Sequence, residues 1–154
     1  MFEIKTICLD IKNVVIQNED KNINIKGLEF LSSVYIFADQ DMLSQVFYNL
    51  ADNAVKFTDK GGEISVSMSA DEDNITVVIR NTGKGIAQED INHVFERFYR
   101  VDKGRSRKAG GTGLGLSIVK HAVIFHGGKI TAVNRQEGGL EYQFSLARRA
   151  KVQH

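Results

Sequence analysis

Residues 40–57 constrain the fold most, because a single helix there must present two different sides. Leu43, Val46, Phe47, Leu50, Ala54 and Phe57 recur at intervals of three and four, the stripe of a helix laid on a core. Beside that stripe stand Asn49, Asn53 and Lys56, so two amides and an ammonium share one side. Asp39 is a good N-cap for this helix.

The rest of the chain alternates helix and strand patterns. Ile4, Ile7, Ile11, Val14 and Val15 predict a helix over about 5–18. Residues 22–26 alternate as a strand, and 34–37 read as a second one. Gly61-Gly62 breaks the chain. Residues 63–69 and 74–80 then alternate about the acidic turn Asp71-Glu72-Asp73, which predicts an antiparallel hairpin with one buried face. A short helix is expected over about 88–95, a mobile loop over 100–112, and a helix over about 114–125 that ends at Gly127-Gly128. Strands at 129–134 and 141–146 flank Gly138-Gly139. Proline is absent, so turns depend on the 14 glycines and on Asn and Asp. The expected class is an α/β (α+β) two-layer sandwich. A mixed, largely antiparallel sheet of about five strands is covered on one face by about three helices.

At 154 residues this is a single expected domain, 1–154, large enough to bury roughly 68–70% of its unfolded surface without staples. A net charge of +1 gives no reason to expect nucleic acid or a membrane surface. The apolar runs fall short of a membrane span, and no basic-then-apolar leader opens the chain. Cys8 stands alone, which excludes an internal disulfide, fits a buried apolar position and suits a reducing, cytoplasmic setting.

The chemistry-bearing residues fall in four groups. An Asn carbonyl is a neutral hard oxygen ligand suited to Mg²⁺, which keeps several waters and takes other oxygens from phosphates. Lys56 is then a point-charge partner for phosphate. Asn81-Thr82-Gly83-Lys84-Gly85-Ile86 follows a strand, and its glycines permit close approach of a flat ligand. Asn81 there suits an adenine edge, its oxygen accepting from N6 and its amide donating to N1. Phe95, Phe98 and Tyr99 lie among Arg97 and Arg100, which can aim guanidinium groups at a phosphate. The cationic run Lys103, Arg105, Arg107 and Lys108 reads as a lid. Finally, Gly111-Thr112-Gly113-Leu114-Gly115-Leu116 opens a helix whose free amides and dipole attract an anion. That loop is neither a Walker A loop nor a dinucleotide fingerprint. Each group alone has an ordinary alternative: a solvated helix face, a turn, an aromatic cluster or a solvated charge run. Together they describe a site for Mg-ATP.

In order and spacing the four groups resemble the catalytic, ATP-binding domain of bacterial two-component sensor histidine kinases. That domain has the Bergerat ATP-binding fold and belongs to a wider family with DNA gyrase, the MutL mismatch-repair proteins and an ATP-driven heat-shock chaperone. The resemblance runs from about Phe2 to Leu146. It implies Asn53 as the Mg²⁺ ligand, Asn49 nearby, Lys56 toward phosphate and Phe57 near the adenine. Asn81, Gly83, Gly85 and Ile86 match the first glycine box, and Phe95–Tyr99, with Arg97, matches the F box. Arg100 resembles the lid arginine that contacts the γ-phosphate. Thr112, Gly113, Leu114, Gly115 and Leu116 match the second glycine box, and His126-Gly127-Gly128 resembles a common ending of its helix. Asn49, Lys56 and Arg100 would share the catalytic task. Two positions depart from the family: Asn81 stands where Asp is usual, and Glu141 stands near where a Thr often makes a water-mediated base contact.

His93, His121, His126 and His154 all lie outside the context of a phosphoacceptor hairpin. The expected partners are therefore a histidine-bearing dimerisation domain of the same parent, which can be membrane-anchored, and a cognate response regulator. The chain itself is expected to be a monomeric catalytic domain. Two other readings stay open. Gyrase-like hydrolysing switches place a general-base Glu where this chain has Asn49, and an amide cannot take a proton from water at neutral pH. A degenerate nucleotide-binding interaction module is favoured only by Asn81.

Overall fold

The computed structural model describes residues 2–17, 19–28, 31, 33–96 and 115–148. A first strand β1 (Phe2–Glu3) runs into helix α1 (Ile4–Gln17), and a 3₁₀ turn at Glu19–Lys21 leads to β2 (Asn24–Lys26). Then follow β3 (Tyr35–Ile36), α2 (Gln40–Phe57), β4 (Glu63–Ala70), β5 (Asn74–Asn81) and α3 (Gln88–Ile91). The described chain ends with α4 (Gly115–Phe125), β6 (Ile130–Asn134) and β7 (Leu140–Ala147).

The main sheet has the order β2-β4-β5-β7-β6. β2 lies parallel to β4, and every other pairing is antiparallel. The expected two-layer sandwich with a mixed, largely antiparallel sheet is what forms. The segment expected as a strand at 34–37 lies outside this sheet: its Tyr35–Ile36 portion pairs with Phe2–Glu3 in a separate two-stranded ribbon. Two residues carry no periodicity, so β1 has no signal in the sequence. The helix expected over 88–95 closes only at Gln88–Ile91 and continues as turns. Ala87 provides no capping side chain at its start, which leaves the first amides without a partner of that kind. Among the described residues no helix is long and apolar enough to cross a membrane.

Helix α2 organises the core. It packs between α1 and α4 and over β5. Leu43, Val46, Phe47, Leu50, Ala51, Ala54 and Val55 are buried, and Phe57 at the helix end is half-buried against the same core. Phe47 meets Phe144 edge to face at 5.5 Å, joining the helix layer to β7. The inward faces of β5 and β7 are Ile75, Val77, Ile79 and Asn81, and Leu140, Tyr142, Phe144 and Leu146. Asn81 is therefore the one polar side chain in that β5 row, and its register partners are Ile64 and Leu140.

Both ends of α2 are fixed by side chains. The Asp39 carboxylate accepts from the Met42 amide at 3.1 Å, and the Asp39 amide donates to His126 Nε2 at 3.0 Å. With Nε2 accepting, His126 Nδ1–H donates to the Ala122 carbonyl at 2.7 Å, tying the end of α4 to the start of α2. At the other end the Lys21 ammonium reaches the carbonyls of Val55 (2.7 Å), Lys56 (3.3 Å) and Thr58 (3.3 Å). A cation there satisfies orphan carbonyls and complements the helix dipole. In the β4–β5 turn, the Asn74 and Asp73 amides donate to the Asp71 carboxylate and hold its carboxyl below the usual carboxylate range.

Candidate functional site

The start of α4 meets α2 at Asn49, and the segment after β5 meets the end of α2 at Phe57. Asn49, Asn53 and Lys56 are each half-buried along α2. Asn49 Oδ1 lies beside Gly115, close enough that a Cβ there would sit 3.3 Å away. The first residue of α4 thus comes within van der Waals range of the α2 amide row. Asn53 Nδ2 donates to the hydroxyl of Tyr142 at 2.7 Å, across the gap between helix and sheet. The Lys56 ammonium pairs with Asp52 at 3.0 Å, one turn back on the same helix, with both side chains about one-third exposed. Such a pair is worth at most about 1 kcal/mol, so Lys56 is free to exchange it for a more highly charged anion.

The first glycine segment is built against the end of α2. Gly83 has φ +130°, a backbone region open to glycine, and a Cβ there would overlap the Phe57 carbonyl. Phe57 and Gly83 are therefore in direct backbone contact. The neighbouring Gly85-Ile86 backbone is gripped by Asn134, whose Oδ1 accepts from the Ile86 amide at 2.9 Å and whose Nδ2 donates to the Ile86 carbonyl at 2.6 Å. Ile86 itself is buried. Sequence reasoning missed Asn134, although an Asn closing a strand before a glycine turn is a position where a side chain can mimic backbone pairing.

Asn81 carries the most unusual feature. Its side chain is 1% exposed. Nδ2 donates to the Thr82 carbonyl at 3.0 Å, while Oδ1 is buried with no hydrogen-bond partner among the described residues. An unpaired buried acceptor costs about 1–3 kcal/mol. Such a group calls for an explanation, and a ligand donor is a direct one. Because Thr82 holds the amide nitrogen, the group left over is an acceptor.

Other expectations fall differently. Glu141 lies on the opposite sheet face and pairs with Arg80 at 2.6 Å, so it faces away from Asn81 and Tyr142. Leu116 packs half-buried against the core at the start of α4. Arg97, Arg100, Thr112, Gly113 and Leu114, with the expected lid at 100–112, lie outside the described residues. Among the described residues no cluster of three or more His, Cys, Asp or Glu side chains forms a ready metal cage. A cation at Asn53 would draw its other oxygens from phosphate and water. Burial raises the Tyr142 phenol well above its usual range, partly offset by the hydrogen bond from Asn53, so the phenol stays protonated.

A family model described as histidine kinase-, DNA gyrase B- and HSP90-like ATPase matches residues 38–150, and the chain belongs to that family. Within it, the chain is similar to the sensor histidine kinase WalK of Bacillus subtilis (strain 168). They are 42% identical over 115 residues, which cover 73% of this chain and 19% of WalK's length. In fold it is similar to the mycobacterial sensor histidine kinase MprB, with a TM-score of 0.78 at 27% identity, over 97% of this chain and 99% of that one. Full-length ShkA in complex with AMPPNP gives a TM-score of 0.75 at 25% identity, over 98% of this chain and 31% of ShkA. The likeness, in sequence and fold, is to the catalytic ATP-binding part of sensor histidine kinases.

Proposed function

We propose that this chain binds Mg-ATP and presents the γ-phosphate to a histidine on a separate dimerisation domain of the same parent, for relay to a cognate response regulator. The observation that carries the reading is the stranded Asn81 Oδ1, a buried acceptor that the N6 amine of an adenine would satisfy. The amide replaces the family's usual carboxylate and keeps the acceptor. The AMPPNP held by the similar ShkA supports the same ligand class.

Asn53 would hold Mg²⁺ through Oδ1, and the ion would neutralise charge on the phosphate oxygens. Lys56 would leave Asp52 for a phosphate oxygen. The first amides of α4, at Gly115 and Leu116, would donate to the same phosphates with the helix dipole behind them. Arg97, Arg100 and the amides of Thr112, Gly113 and Leu114 would close over the triphosphate. Phe57, Gly83, Gly85 and Ile86 would form the walls around the base. The nucleophile is the incoming imidazole, so the work of this chain is positioning and charge stabilisation. Asn49 cannot act as a general base toward water, which makes the chain a donor rather than a hydrolase. The domain would act as a monomer on the cytoplasmic side, in a parent that can be membrane-anchored.

Incubation with labelled Mg-ATP and a separately supplied histidine-bearing hairpin tests this. The expected result is an acid-labile, base-stable phosphoryl group on the hairpin and little free phosphate from the chain alone. Steady hydrolysis without the hairpin, or no transfer at saturating ATP, would count against it.

A further inference from the structure

Tyr142 is fully buried on the inward face of β7, opposite Ile79 of β5 and Ala132 of β6. The other inward residues of that strand, Leu140, Phe144 and Leu146, are apolar. A Phe would fill the same space, so packing does not account for the hydroxyl. Its hydrogen-bond partner among the described residues is Asn53 Nδ2, 2.7 Å away on α2. An Asn amide has an oxygen end and an NH₂ end of nearly equal shape, and only its partners decide which way round it sits. With Nδ2 held on the phenol, Oδ1 is the end turned away from Tyr142.

We propose that Tyr142 is a positioning residue of the metal site. Its hydroxyl, which accepts from Asn53 Nδ2, anchors the Asn53 side chain between the layers, an arrangement in which Oδ1 is turned away from the phenol and would serve the cation. The inference rests on the reading of Asn53 as the Mg²⁺ ligand. Outer partners of metal ligands commonly contribute about 10–100-fold in metal affinity, by orienting the ligand that touches the ion.

The test is calorimetric titration of ATP into the chain, into Tyr142→Phe and into Asn53→Ala, each in Mg²⁺ and in EDTA. The quantity read is the ratio of the two dissociation constants, which a purely structural role would leave unchanged. Tyr142→Phe is expected to lower the Mg²⁺-dependent enhancement about tenfold, with affinity in EDTA unchanged. Equal weakening with and without Mg²⁺, or a wild-type ratio in Tyr142→Phe while Asn53→Ala loses the enhancement, would overturn the positioning role and leave the metal reading standing. A full Mg²⁺ enhancement in Asn53→Ala would instead remove the metal reading itself. Should Tyr142→Phe not fold, NMR of the unaltered chain decides. The Asn53 side-chain NH₂ must show contacts to the Tyr142 ring that persist with Mg-ATP, and their absence would overturn the proposal.

Discussion

Asn53→Ala is expected to weaken Mg-ATP binding by more than about 100-fold, above the range for loss of an outer partner of a metal ligand. Affinity for ATP in EDTA should stay within a few-fold, because the proposed adenine contact is at Asn81 rather than at Asn53. Asn53 bridges the two layers through its bond to the buried Tyr142 hydroxyl. Truncation to Ala therefore strands a phenol inside the core, and a loss of about 1–3 kcal/mol in denaturant-monitored stability should accompany the binding defect. The two effects separate the roles of the two ends of the amide. Lost stability with intact Mg²⁺ dependence would leave Asn53 a structural residue and place the cation elsewhere.

Asn81→Leu should change stability and affinity in opposite directions. Leu approximates the shape of Asn and removes the acceptor that is buried without a partner. It also removes the donor to the Thr82 carbonyl, which is half-buried and can turn to water. The net expectation is a gain of about 1 kcal/mol in stability. Mg-ATP affinity should nevertheless fall by about 10–100-fold, as the adenine amine loses its acceptor. Measuring the thermal midpoint and the dissociation constant on the same preparation checks both signs. A destabilised variant with unchanged affinity would show that Oδ1 is satisfied within the protein and is not held for a ligand.

Much of this architecture was legible because long amphipathic elements have strong periods. The α2 stripe over 40–57, the 63–80 hairpin and the helix ending at Gly127-Gly128 all appear close to their expected bounds. Short pieces were not legible: β1 and β3 are two residues each and exist through their partner strand. Side-chain links between distant segments were equally hidden. Lys21 capping α2, Asn134 gripping Ile86 and Tyr142 holding Asn53 join residues 34 to 89 positions apart. Nothing in local spacing reports such pairings. The motif residues suggest their proposed chemistry from spacing alone, since amides four apart on a helix and glycines at a helix start have recognisable uses. Which end of each amide is free emerged only from the fold, at Asn53 as at Asn81.

The most direct test of the site is titration of the unaltered chain with Mg-ATP and Mg-GTP. On the proposed reading the unpaired Asn81 Oδ1 would accept from the adenine N6 amine and would oppose the guanine O6 carbonyl. ATP should therefore bind about 10–100-fold more tightly than GTP. Equal affinity for the two nucleotides, or no binding of either, would contradict the account.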